Sequence, residues 1–247
     1  MSSNLRRNEL SPRLVARIAG IAALGGILAG AFDIGYVQSA LVVAGNAAAT
    51  VHNILAHEQL YRMGFSAHVL EMLLNIIGEI TFFILIRRVN PVVAAIALCC
   101  GLIGTAVESA DLLNAYMPLV LSSHTGSIDP AQIPAASYMF LQLREAGLTL
   151  SFVFYGLDEL LSGVLIFRSG FLPRIIGILL GISGACYLSH SFLTFVAPRV
   201  DARAYPYILF ACLPGEASIA LWMTIVGLNV TKWEASASER PADMLFT

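Results

Sequence analysis

Residues 63–88 read MGFSAHVLEMLLNIIGEITFFILIRR. The apolar run from 63 to 86 exceeds the roughly 20 residues an α-helix needs to cross a hydrocarbon core of about 30 Å, and the tandem Arg87-Arg88 closes it. Four polar side chains interrupt the run at steps of three, four and four: His68, Glu71, Asn75 and Glu79. At 100° per residue they fall within an arc of about 80°, so they form one narrow polar stripe on an otherwise apolar helix. Charge at that depth is tolerated only when it faces protein, water or a ligand, so this stretch belongs to a membrane bundle with a polar interior.

The whole chain has the same character. Its 247 residues are 57% hydrophobic and 12% charged, with a mean hydropathy of +0.78, against roughly 25% charged residues in a soluble domain. A soluble enzyme is excluded. The net charge of −2 and the scatter of Lys and Arg give no electrostatic reason for nucleic-acid binding. Cys99, Cys100, Cys186 and Cys212 all sit in apolar runs, where thiols act as small hydrophobes, and no disulfide framework is expected.

Six helices are predicted, over 14–37, 63–86, 91–117, 137–167, 172–197 and 204–230. The expected fold class is all-α, a polytopic six-helix transmembrane bundle of one domain over 14–230, with an N-terminal segment over 1–13 and a disordered tail over 231–247. The Arg-rich start imitates a signal peptide, but the apolar run continues through Asp33 to Tyr36 and reads as a retained first span. Ten cations fall at one face (Arg6, Arg7, Arg13, Arg17, Arg87, Arg88, Arg168, Arg174, Lys232, Arg240), against Arg62, Arg199 and Arg203 at the other, with Arg144 in or near a span. Both termini are therefore expected in the cytoplasm.

Punctuation supports these boundaries: Asn90-Pro91 opens the third helix, Gly170 ends the fourth, Pro173 opens the fifth and Pro198 follows its end. Asn46 reads as the N-cap of a short helix reaching about Tyr61, too polar to span and expected at the outer interface. Ser122 to Pro134, with His124, Gly126 and Asp129, reads as a second outer loop. Gly26-x-x-x-Gly30 and Gly177-x-x-x-Gly181 are expected to serve close helix packing within one chain; they leave the oligomeric state open. No inverted repeat of the transporter kind is visible.

The informative residues are the ionisable ones inside apolar helices: Asp33, His68, Glu71, Glu79, Glu108, Asp111, Asp158, Glu159, His190 and Glu216. Each would cost about 2.5–3.5 kcal/mol facing lipid at mid-helix. Arg144, Ser151, Tyr155, Asp158, Glu159 and Ser162 share an arc of about 100°, and Glu108 and Asp111 are one turn apart. Counting about 1.5 Å per residue puts Asp33, His68, Glu71, Glu108, Asp111 and His190 in the outer half, Asp158, Glu159 and Glu216 near the middle and Glu79 lower. Arg144 and Glu145 are expected near the outer headgroups. The cavity these residues imply opens outward.

Three chemistries fit such a cluster. His68-x-x-Glu71 with Glu108 and His190 offers metal ligands, although no second Glu-x-x-His pair and no HExxH motif is present; no cofactor is specified. An acid–base enzyme or binder for a small lipid-soluble molecule would use Glu71, Glu108, Asp158 and Glu216 as acids and bases, with Asp33, His68, Asn75, Glu79, Asp111, Arg144, Tyr155, Glu159 and His190 lining the site. A proton-coupled carrier of a small polar or cationic solute would use the same acids as a relay. A purely structural hydrogen-bond network that fixes helix register is the remaining class. The expected partners are the lipid bilayer and a small ligand.

The segments Ala48-Ala49-Thr50, Asn53 through Glu58, Arg62-Met63-Gly64-Phe65, Phe167 through Gly177, Pro214-Gly215-Glu216 and Leu221-Trp222 resemble a bacterial multipass membrane family catalogued only as a domain of unknown function. The similarity covers nearly the whole chain, and Arg168-Ser169-Gly170-Phe171-Leu172-Pro173-Arg174 is its most specific piece. It implies six helices and a bacterial cytoplasmic membrane, and no reaction.

Overall fold

The computed structural model describes residues 11–123 and 129–238; Arg6, Arg7, His124, Gly126 and Arg240 lie outside them. Every regular element among the described residues is helical. Helix α1 (Pro12–Gly30) opens where Ser11 accepts a hydrogen bond from the Leu14 amide with proline at the first helical position. It continues as a π-helical turn (Ala31–Gln38) and a short α2 (Ser39–Leu41). Next come α3 (Ala47–Ala56), α4 (Glu58–Ile86), α5 (Pro91–Ser123), α6 (Ile133–Ser169), α7 (Arg174–Val196), α8 (Pro198–Ile225) and α9 (Val230–Ser238).

Five stretches are long and apolar enough to cross a membrane: Pro12–Leu41, Glu58–Ile86, Pro91–Ser123, Pro130–Ser169 and Arg174–Val196. The sixth is Phe210–Ile225, which passes together with the start of α9 across a bend of 103°. Gly227, at φ 77°, makes that bend, as Gly170, at φ 70°, ends α6; both lie in the left-handed region that side chains with a Cβ avoid.

Several boundaries differ from the sequence expectation. Asn46 does cap α3, accepting from the Ala49 amide at 3.0 Å, but that helix ends at Ala56 and α4 begins at once, so the second span starts before residue 63. Helix α5 runs through Pro118 to Ser123, and α8 runs through Pro214, because proline inside a bundle is tolerated where neighbouring helices hold the backbone. Pro198 starts α8 directly after Ala197, so no loop precedes residue 204 and the helix ends at Ile225, not 230. The expected tail begins with α9. Its Trp233 is buried, donates its indole N–H to the Leu85 carbonyl at 3.0 Å and lies under the Arg88 guanidinium at 3.4 Å, enough area and polarity to dock a short helix.

Contacts run from α1 to α4, then in sequence through α5, α6 and α7 to α8, and α8 returns to α1, so the six long helices close a ring. One apolar core, with Val15, Ile86, Ile166, Phe171, Met223 and Trp233, closes the end where α1 begins. A second, with Val37, Ile54, Tyr61, Leu119 and Leu141, closes the other. Buried polar and charged side chains, including Asp33, His68, Glu108, Arg144, Ser151 and Asp158, lie between them. Large apolar side chains face outward, Leu28 at 63% exposure and Val92 at 67% among them, the inverse of a soluble protein.

The α6–α7 contact is built on paired glycines. A Cβ on Gly163 would lie 2.6 Å from the Gly177 carbonyl oxygen, and one on Gly177 would lie 2.6 Å from that of Gly163; Gly156 and Gly184 meet the same way at 2.8 and 2.6 Å. The two pairs stand two turns apart on antiparallel helices, so the backbones themselves form the contact. A Cβ on Gly181 would meet nothing. Gly156→Ala, Gly163→Ala, Gly177→Ala and Gly184→Ala should each therefore cost about 1–3 kcal/mol by forcing the helices apart, whereas Gly181→Ala should be neutral or stabilising by up to about 1 kcal/mol. Thermal unfolding of the purified protein in detergent, followed by helical circular dichroism, checks this; equal loss at Gly181 and Gly163 would refute the contact.

Candidate functional site

The polar layer depends on glycines in another way. Backbone without a Cβ on one helix leaves a notch, and a polar side chain of the neighbouring helix occupies it. A Cβ on Gly30 of α1 would stand 2.7 Å from both Glu71 carboxylate oxygens, and one on Gly26 would stand 3.0 Å from the Asn75 amide oxygen. Glu79 and Tyr155 fit over Gly101 and Gly104 of α5 in the same manner, and Asp33 over Gly64 of α4. The Asp111 carboxylate occupies the notch at Gly147 of α6. The motif read as simple helix packing, Gly26-x-x-x-Gly30, is thus the seat of two polar residues of α4.

At the centre is His68, fully buried. Its Nδ1 lies 2.8 Å from Asp33 Oδ2 and its Nε2 lies 3.1 Å from Glu108 Oε1. Both contacts are hydrogen bonds to ionised carboxylates only when the ring carries both protons. Asp33 reaches His68 from the π-helical turn, whose wider spacing re-aims side chains. Arg144 Nη2 donates to Asp33 Oδ2 at 3.3 Å, and the Gln38 amide donates to Asp33 Oδ1 at 3.3 Å. Tyr155 OH lies 2.9 Å from Glu108 Oε2 and 3.2 Å from Thr105 Oγ1. With His68 protonated, two cations face two carboxylates and the quartet is neutral, the condition for stable burial. Arg144 itself is 7% exposed and drawn inward by Asp33.

Glu71 stands beside this quartet without joining it. Its Oε2 is 3.9 Å from His68 Nδ1, beyond hydrogen-bond range, and is buried with no partner among the described residues, as are Arg144 Nε and Glu159 Oε2. Glu71 also interacts electrostatically with Glu108 and with Glu216 of α8. Glu216 accepts a short hydrogen bond from Tyr187 of α7 and faces the Glu159 carboxyl. Next to Glu159 in sequence, Asp158 of α6 faces Glu79 of α4 and also accepts from Ser162 at 3.1 Å. Facing carboxyls bond to each other only through a proton.

Two candidate residues lie apart from these pairs. His190 is hydrogen-bonded to Asp201 at 2.8 Å, with Thr194 donating to the same carboxylate at 2.9 Å, and so fastens α7 to α8. Asp111 accepts from Asn114 at 2.8 Å on its own helix. Among the described residues no group of three or more His, Cys, Asp or Glu side chains is disposed to hold a metal ion. Sequence reading missed Asp201, Tyr187, Thr105 and Gln38: nothing in their own spacing marks them, since each acquires its role from another helix or from the π turn. A cavity of about 620 Å³ lies at the end of the bundle where α1 begins.

No solved structure matches this chain. An uncharacterised protein of Archaeoglobus fulgidus is 28% identical over 85 residues, which cover 34% of this chain and 49% of that protein. The chain thus spans about half the length of that curated relative. Over residues 18–227, from the second turn of α1 to the bend after α8, it matches the model of the domain of unknown function DUF4386, and it belongs to that family.

Proposed function

We propose that this protein is a multipass integral membrane protein of a bacterial cytoplasmic membrane, both termini cytoplasmic, whose interior acids do acid–base work on a small lipid-soluble molecule. The observation that carries the reading is the pairing of His68, held between Asp33 and Glu108, with Glu71, whose buried Oε2 has no partner among the described residues. A ring with a carboxylate at each nitrogen can release a proton on one side and regain it on the other. Arg144 keeps the arrangement neutral while that proton moves. Glu71 is left as the group that gives a proton to a ligand or takes one from it, with Glu108 and Tyr155 behind it.

A second reading, a proton-coupled carrier of a small polar or cationic solute, is favoured by one separate observation. The acids extend beyond a single reaction centre, from Glu71 to Glu216 and Glu159 and on to Asp158 and Glu79, which suits a relay. Solvent extraction and native mass spectrometry of the purified protein separate the two. A defined apolar molecule that co-purifies, and is lost in Glu71→Gln, supports the acid–base reading. Solute-dependent acidification or alkalinisation of proteoliposomes supports the carrier.

A merely structural network makes a different prediction about stability. Asp33→Asn, His68→Ala and Glu108→Gln each leave buried charge unbalanced, and each should cost about 3–5 kcal/mol. Glu71→Gln breaks no hydrogen bond of Oε2 and should leave the unfolding temperature within a few degrees while abolishing ligand retention or transport. A Glu71→Gln protein that keeps full function would remove Glu71 from the mechanism. Orientation is checked by labelling single cysteines placed at Ser11 and Ser236 in intact cells: both should resist a membrane-impermeant maleimide until the cells are opened.

A further inference from the structure

We infer that the cavity at the end of the bundle where α1 begins is a binding site for a phosphate group, supplied either by the free ion or by a phospholipid headgroup. The cavity is about 620 Å³, within the range of small-molecule sites. Its lining includes three cations, Arg13, Arg17 and Lys232, and no Asp or Glu. Among the described residues none of the three forms an ion pair, whereas Arg62 and Arg144 are paired with Glu58 and Asp33. Three exposed cations held around one concavity repel one another unless an anion fills it.

The backbone reinforces the side chains. Three helices begin around this cavity: α1 at Pro12, α7 at Arg174 and α9 at Val230, and each brings the positive end of its dipole. The frame is fixed, since the Asn229 amide donates to the Phe171 carbonyl at 3.1 Å and ties the α8–α9 bend to the turn before α7. A phosphate, with up to two charges and several acceptor oxygens, matches two guanidiniums and an ammonium better than a carboxylate does. The opposite wall is apolar and partly open: Phe171 is buried, while Trp222 of α8 and Val226 just past its end face outward. A headgroup phosphate seated on the cations would lay its acyl chains along that face of α8, where a tryptophan suits the membrane interface. The headgroup arm rests on the membrane reading above, and the free-phosphate arm does not.

The test uses the full-length protein, delipidated in a non-ionic detergent. It compares dioleoyl phosphatidylglycerol with dioleoyl phosphatidylcholine by native mass spectrometry, and inorganic phosphate by isothermal titration. One variant is Arg13→Gln with Arg17→Gln and Lys232→Gln; the control, Arg87→Gln with Arg168→Gln and Arg174→Gln, removes the same charge from the same end but none from the cavity lining. Unchanged circular dichroism verifies that each variant folds. The wild type and the control should retain phosphatidylglycerol over phosphatidylcholine, or bind inorganic phosphate, and the cavity variant should lose about tenfold or more in either affinity. Phosphate binding without lipid retention assigns the free ion; lipid retention without phosphate binding assigns the headgroup. The proposal is overturned if neither probe binds the wild type, or if the folded cavity variant binds as the control does.

Discussion

A charge inside a low-dielectric bundle must be matched, and in this protein the match is made around Arg144. Its guanidinium shares Asp33 Oδ2 with His68, and His68 shares its other nitrogen with Glu108. One residue each from the π turn, α4, α5 and α6 is thereby committed to a single relative position, because sliding any helix by one turn would move its partner by about 5.4 Å and strand a charge. Apolar contacts in a membrane specify register weakly, since lipid chains are as apolar as the side chains they replace. The neutral quartet supplies the register those contacts cannot.

The same constraint explains where the glycines are. A carboxylate at the end of a Glu side chain needs room between helices that otherwise pack Cβ to Cβ. Gly30 under Glu71, Gly101 under Glu79 and Gly64 under Asp33 provide that room on the facing helix, so the helices stay close while the polar groups remain covered. Between α6 and α7 the glycines have the other function, backbone against backbone, with no polar group involved. Two uses of one residue type thus coexist in the ring: notches on α1, α4, α5 and α6 that hold acids, and close backbone contacts such as those that draw α6 and α7 together.

Much of this was legible in the sequence, and the boundary of legibility is physical. Span length and composition are local properties, so helices opening at Pro91 and following Pro173, and the termination at Gly170, could be read directly. The stripe of His68, Glu71, Asn75 and Glu79 followed from the helical period alone. Which residue each would meet did not: His68 turns to α1 and α5, Asn75 to α1, and Glu79 to α5 and α6, choices set by the ring order and not by spacing. The partner of Arg144 was not legible either, since a long side chain follows its counterion and not the height of its Cα. His190 looked like a member of the central cluster by depth, yet Asp201, on the first turns of a helix that starts earlier than expected, claims it.

Along the ring axis the charges are segregated in a way that bears on both ends at once. Cations with no ion pair among the described residues gather where α1, α7 and α9 begin, and the acids lie in the layer beyond the apolar core that contains Ile86, Ile166 and Met223. That apolar core separates the two sets. Screening by salt shortens the reach of the cations to about 10 Å in water, but it acts only outside the core. Among the described residues Arg144 and His68 are cations set against interior carboxylates, so the charge of that layer is matched within the layer.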